Sequence, residues 1–240
     1  MLVEPKTHSP SVEDYVKTIY KLTESSAESV TTGELSGRLG VTASSVSGMI
    51  RKLDDAGLVE HPRYGDVALT DAGRRLALDV VRRHRLIELY LVRALGYSWD
   101  EVHEEAEVLE HVVSERLLAR IAEALDHPTH DPHGDPIPDP DGKIVPRETR
   151  TLAELPVGES GRVARVSDED SELLVYLAEC GIGLGAWVEV LARGPFDGPT
   201  TVAIGVDAGR HEHSFGARVT EALLIEPGLP AVAESDQPAG

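Results

Sequence analysis

Four side chains close together in the sequence could hold a cation: His103, Glu107, Glu110 and His111. If the stretch is one helix, at about 100° per residue the four share an arc of about 100°. Val102, Ala106, Leu109 and Val113 fill the neighbouring arc, so the four border a buried face. A carboxylate there is costly unless it is paired or bound to metal. Upstream, His84 and Glu88 form a second pair one helical turn apart. Imidazole nitrogen with carboxylate oxygen is a donor mixture for divalent cations, and its recurrence on successive helices favours metal over a solvated acidic face. The spacing is not that of a zinc protease. Position 107 is Glu, where a His-Glu-x-x-His motif beginning at His103 needs His.

The rest of the chain supplies elements that could position these residues. Val12, Val16, Ile19 and Tyr20 recur at helical spacing in residues 11–24. Thr31-Thr32-Gly33-Glu34 reads as a capping box that opens a short helix with Leu35 and Leu39 facing inward, ended by Gly40. Thr42 caps a second short helix through Val46, Ile50 and Leu53, closed at Gly57. The pair is a helix-turn-helix pattern. Residues 58–61 and 66–69 predict two short strands around Pro62-Arg63-Tyr64-Gly65, the wing of a winged helix. Thr70 or Asp71 opens a long helix to about Leu95, and one more helix is expected from about Asp100 to Leu125. Residues 126–150 contain six prolines and predict a linker. GRVARV, AWVEVLAR, TTVAIGV and HSFGARVT then read as strands of a small β-barrel, with one helix near Glu172–Cys180. The expected class is α+β. A winged-helix DNA-binding domain spans 1–75, a helical dimerisation and metal-binding domain 76–127, a Pro-rich linker 128–150, the barrel 151–226 and a disordered tail 227–240.

The 240 residues carry 42 acidic and 23 basic side chains, a net charge of −19, which at first sight opposes DNA binding. The charge is uneven. Residues 1–75 hold 9 basic and 11 acidic side chains, 76–150 hold 9 and 16, and 151–240 hold 5 and 15. Between 30 and 75 the balance is 6 against 6, so the helix-turn-helix pattern lies in a neutral segment. Its second helix would enter the major groove with Thr42, Ser44, Ser45 and Ser47 toward the bases. Arg51, Lys52, and Arg63 and Tyr64 of the wing suit phosphates. With no Arg, Asn or Gln in the first turns, shape and methyl contacts should carry much of the specificity. A single cysteine, Cys180, excludes an intramolecular disulfide framework. The N-terminus lacks a signal-peptide pattern and no run of about 18 apolar residues occurs, so a cytoplasmic protein is expected.

SVEDYVKTIYKL, SSVSGMIRKLDDAGLV, RRHRLIELYL, VHEEAEVLEHVVSE and HGDPIPDPDG, in this order and spacing, resemble the diphtheria toxin repressor family of metal-dependent transcriptional regulators. The resemblance covers nearly the whole chain and includes the third, SH3-like domain of the longer members. It implies two metal sites per subunit. The primary site would use Asp14, Glu107, Glu110 and His111. The ancillary site would use His84, Glu88 and His103, completed from the third domain by a carboxylate aligned with Asp170. The family's second third-domain ligand, a glutamine, falls on Leu173, which cannot ligate, and Glu172 is the neighbouring candidate. The iron-sensing branch carries methionine and cysteine where this chain has Asp14 and Glu107, whereas the manganese-sensing branch carries carboxylates. The sulfur side chains here, Met1, Met49 and Cys180, lie outside the cluster, and three carboxylates with one imidazole suit Mn²⁺. Small two-domain manganese members carry a carboxylate where Lys17 stands, so their paired-ion cluster is not expected here.

The function expected from this is a manganese-dependent transcriptional regulator, not an enzyme. It would be a homodimer that binds a pseudo-palindromic double-stranded DNA operator when metal is bound, and represses metal-uptake genes. The apolar stretch Leu86–Leu95 is expected to form the dimer interface. An Fe²⁺-dependent regulator of the same architecture is the alternative within the family. A metal-dependent hydrolase with an accessory winged helix is the alternative of another class; packed helices without an adjacent nucleophile speak against it.

Overall fold

Helix α1 (Pro10–Ser25) begins at a proline, whose fixed φ suits a first helical turn, and the Ser9 carbonyl accepts from the Val12 and Glu13 amides. The structure is a computed structural model that describes residues 8–25, 30–60, 66–168, 170–206 and 209–228. Two compact units divide the chain. The first takes Met1–Gly96, Glu104–Thr129 and Pro136–Val145; the second takes Tyr97–His103, His130–Asp135 and Pro146–Gly240.

In the first unit, α2 (Thr32–Leu39) opens with the complete Thr31–Glu34 capping box and closes at Gly40 in the left-handed region. Helix α3 (Ala43–Asp55) is capped by Thr42, whose side chain accepts from the Ser45 amide. Gly57, at φ +69, turns the chain into β1 (Val59–Glu60), which pairs antiparallel with β2 (Ala68–Leu69). The expected tip of this wing, including Arg63 and Tyr64, lies outside the described residues, as do positions 229–240 of the expected tail. Helix α4 (Asp71–Tyr90) is capped by Thr70. Its N-terminal half joins a core of Val16, Ile19, Tyr20, Leu35, Ile50 and Leu53. Its C-terminal half supplies Leu86 and Leu89 to a second core with Leu118, Ile121 and Ile137.

Several expectations need correction. Helix α4 stops at Tyr90 and continues as a π-turn (Leu91–Leu95) that closes at Gly96, φ +76. Leu86, Ile87, Leu89 and Leu91 are buried within the chain, which leaves Leu95, 59% exposed, as the open large apolar side chain of that stretch. The single helix expected over 100–125 is two helices, α5 (Val102–Leu109) and α6 (Glu115–Ala124). Ser114 causes the break: its extended backbone and side chain cap α6, while the Val112 and Val113 amides both turn back to the Leu109 carbonyl. The Pro-rich stretch forms no helix, yet it is more than a spacer. Within the first unit, Ile137 is buried, and the Pro136 and Pro138 carbonyls accept from Arg85 and Arg82.

The second unit is a six-stranded antiparallel sheet with helix α7 (Ser171–Glu179). Its strands are β3 (Arg150–Thr151), β4 (Ser160–Val166), β5 (Trp187–Arg193), β6 (Thr200–Ile204), β7 (His211–Phe215) and β8 (Leu223–Pro227), in the order β3-β8-β4-β5-β6-β7. The strand expected through HSFGARVT ends at Phe215, and Ala217–Ala222 forms helix α8, so the alternation read past Gly216 was misleading. Strand β8, which the sequence pattern missed, is the central partner of β3 and β4.

Gly73, in the first turn of α4, fixes how closely that helix approaches the wing. A Cβ there would sit 1.9 Å from the Leu58 carbonyl oxygen. Gly73→Ala is therefore expected to lower stability by about 1–3 kcal/mol in urea unfolding. Gly48→Ala, where no atom lies within 4 Å of the added methyl, should stabilise by about 0.5–1 kcal/mol. Equal effects at the two positions would contradict the packing.

Candidate metal centre

Three elements of the first unit bring polar side chains together. Helix α1 presents Glu13, Asp14 and Lys17, α4 presents Asp79, Arg83, His84 and Glu88, and the end of α5 presents Glu107, Glu110 and His111. Glu110 and His111 fall in the turn that ends α5, not on a continuing helix, and the turn sends them to different neighbours. Glu110 is fully buried. Its Oε2 is 2.6 Å from His84 Nδ1, and its Oε1 accepts from Lys17 Nζ at 2.7 Å. Lys17 donates equally to Glu107 Oε1, also at 2.7 Å. His111 faces α1, with Nδ1 2.8 Å from Glu13 Oε2 and Nε2 2.8 Å from Asp14 Oδ1.

When Nδ1–H donates to Glu13, the Nε2 lone pair points toward Asp14 Oδ1 and, at 3.5 Å, Glu110 Oε1. Asp14 Oδ1 is buried and accepts no hydrogen bond. Both His111 nitrogens thus face carboxylate oxygens at 2.8 Å, an anion-rich setting that takes a proton or a metal cation between Nε2 and Asp14. The donor atoms of Asp14, Glu110 and His111 lie within 4.8 Å of one another, and so do those of His84, Glu107 and Glu110. Oxygen and imidazole nitrogen form a set that fits a divalent metal of intermediate hardness. Glu13 holds the His111 tautomer from behind, as carboxylates do for metal-binding imidazoles. Arg83 clamps Glu13 at 3.3 Å, bonds Asp79 at 2.8 Å and donates to the Glu110 carbonyl at 3.0 Å.

The charges respond to one another. Burial raises the Asp14 pKa, with Glu107 and Glu110 adding to the rise, against the pull of His111 and Lys17. Burial disfavours the Lys17 ammonium, but Glu110 and Glu107 outweigh it and raise its pKa. Burial likewise opposes a charged His84, yet Glu88, 2.9 Å from Nε2, and Glu110 push its pKa up to about 9.

Asp14, Glu110 and His111 bring donor atoms together in one group and Glu107 lies in a second with His84 and Glu110, so Glu110 is common to both, while His84 also holds Glu88. In the second unit, His103 faces Asp168, with Nδ1 to Oδ2 at 3.7 Å. Asp170 instead caps α7 through the Leu173 amide and pairs with Arg218, and Glu172 is exposed in the first turn of α7. The sequence reading missed Glu13, Arg83 and Asp168. Glu13 and Lys17 are one turn apart around Asp14, and Asp79 and Arg83 are one turn apart on α4, which is the signal that was there to read. On α3, Thr42, Ser44, Ser45, Ser47, Arg51 and Lys52 are all exposed. The Thr42 hydroxyl is 2.9 Å from those of Ser44 and Ser45, and Ser47 donates to the Ala43 carbonyl.

Models of known families match along the chain. "Iron dependent repressor, N-terminal DNA binding domain" covers residues 8–67, "Iron dependent repressor, metal binding and dimerisation domain" covers 70–139, and "FeoA domain" covers 150–222. The iron-dependent repressor IdeR of Mycobacterium leprae is 34% identical over 195 residues, spanning 75% of this chain and 83% of that protein. This chain belongs to the diphtheria toxin repressor family. The diphtheria toxin repressor of Corynebacterium efficiens is 33% identical over 197 residues, with the same 75% and 83% coverage. A solved manganese-dependent transcriptional repressor in complex with manganese is 48% identical, with a TM-score of 0.84 over 90% of this chain and 99% of that one. The diphtheria toxin repressor family is one of metal-dependent, DNA-binding transcriptional repressors and not of enzymes, which removes the hydrolase alternative. Among the described residues, no helix is long and apolar enough to cross a membrane.

His84 gives the cluster a pH signature. Its folded pKa of about 9 lies above the ordinary 6.5, so its charge stabilises the fold fully below pH 6.5, and that stabilisation fades as pH rises through about 9. Chelator-treated protein should lose melting temperature across this window, and His84→Gln should flatten the slope. Equal slopes would contradict the pairing.

Proposed function

We propose that the chain is a manganese-responsive repressor whose primary metal site is formed by Asp14, Glu107, Glu110 and His111. The observation that carries this is the donor set itself: carboxylate oxygens and one imidazole nitrogen, with no sulfur, between α1 and the end of α5. A bound Mn²⁺ would supply the positive charge that these carboxylates need in order to converge. The solved relative that contains manganese supports this reading, while relatives named iron-dependent make Fe²⁺ the second reading.

Helix α1 supplies the coupling. Val16, Ile19 and Tyr20 pack with Leu35 of α2 and Ile50 of α3, while Glu13, Asp14 and Lys17 face the cluster. A helix drawn toward α5 carries the reading helix with it. In this scheme the exposed Thr42, Ser44, Ser45 and Ser47 meet base edges, and Arg51 and Lys52 meet phosphates. Metal and DNA then raise one another's affinity by the same factor. We place the two-fold interface on Val108, Val112 and Leu117, which are 67%, 74% and 53% exposed around the α5–α6 turn. Two copies related in this way would present two α3 helices to a pseudo-palindromic operator. Repression of metal-uptake genes in the cytoplasm is the role that fits.

Gel shifts on the chain's own promoter-derived DNA, with Mn²⁺ or Fe²⁺ under anaerobic conditions, test the metal assignment. Wild type should bind at lower Mn²⁺ than chelator-treated protein permits, and Asp14→Met with Glu107→Cys should lose at least tenfold of the preference for Mn²⁺ over Fe²⁺. A double variant that keeps the full preference would refute the assignment. Val112→Glu should shift the dimer to monomer in light scattering, and an unchanged dimer would move the interface elsewhere.

A further inference from the structure

We infer that Lys17 is a built-in competitor for the metal, a cation of the chain itself that limits how tightly Glu107 and Glu110 hold a divalent ion. The inference rests on the metal-binding reading above. Lys17 Nζ lies 2.7 Å from Oε1 of both glutamates. The Glu110 oxygen it holds is the one 3.5 Å from His111 Nε2, on the side of Asp14. An ion drawing on that oxygen meets an ammonium already bonded to it.

Lys17 cannot simply step aside. Its side chain is 6% exposed, so giving up either carboxylate leaves an ammonium short of partners away from water. Other charges nearby do not replace it. Arg83 is committed to Glu13 and Asp79, and His84 is held between Glu88 and Glu110. Removing the Lys17 charge therefore leaves Glu107 and Glu110 with more uncompensated negative charge, and a divalent ion gains what the ammonium gave up. A divalent ion carries twice the charge of the ammonium and can take a shared oxygen from it, whereas an abundant monovalent ion has no such advantage. Lys17 thereby raises the metal concentration at which the cluster fills and screens the site against monovalent cations. It also ties α1 to α5 directly, so part of the helix docking is independent of metal.

Calorimetric titration of the full chain with Mn²⁺ tests this. Lys17→Met should bind Mn²⁺ at least tenfold more tightly than wild type, while Lys17→Arg, which keeps the charge, should stay within about threefold. Folded Lys17→Met with unchanged or weaker affinity would overturn the inference and leave the metal reading intact. Wild type that takes up no Mn²⁺ would overturn both. A measurement on wild type covers the case of a variant that does not fold. The chain has five lysines, so ¹⁵N-lysine NMR can follow the Lys17 ammonium during titration with diamagnetic Cd²⁺. The Lys17 resonance should shift or vanish at saturation, and an unmoved resonance at saturation would overturn the proposal.

Discussion

The first unit is organised around Glu110, a carboxylate with no exposed surface at the end of α5. A buried anion persists only when cations and donors surround it. Lys17 comes from α1, His84 from α4 and His111 from the same turn, so balancing one charge binds three elements together. Behind them Arg83 anchors Glu13, which in turn orients His111. The buried Oδ1 of Asp14 lies 2.8 Å from His111 Nε2, and this carboxylate-rich side of the cluster is where the proposed metal would sit.

Helix α1 links the cluster to the core that supports the helix-turn-helix. Its apolar positions are part of the core that fixes α2 and α3, and its polar positions belong to the cluster. A rigid helix cannot satisfy one side without moving the other. The charge distribution adds to this. The helix-turn-helix segment is neutral while the rest of the chain is acidic, so the overall field opposes casual attachment to DNA and leaves binding dependent on correctly placed contacts.

Much of this was legible in the sequence. Caps at Thr31, Thr42 and Thr70 and left-handed glycines at 40 and 57 follow local rules, and the structure has them. The cation site proposed here was suggested by the spacing of His103, Glu107, Glu110 and His111, and Asp14 was added to it by the family resemblance. What was not legible depended on breaks and on long-range partners. Ser114 splits one apparent helix into two because a cap competes with an apolar period that runs straight through it. Lys17 and Glu13 look like ordinary surface charges on α1, and their partners lie 70 or more positions away. Asp170 matched the family pattern, but it serves as the cap of α7 and a partner of Arg218, leaving Asp168 beside His103.

In the proposed scheme a divalent ion completes the cluster between α1 and the end of α5. Anomalous diffraction at the manganese absorption edge, from crystals grown with Mn²⁺, reads this directly. A strong anomalous peak is expected among Asp14, Glu110 and His111. Manganese bound to the chain with no peak among those three side chains would contradict it.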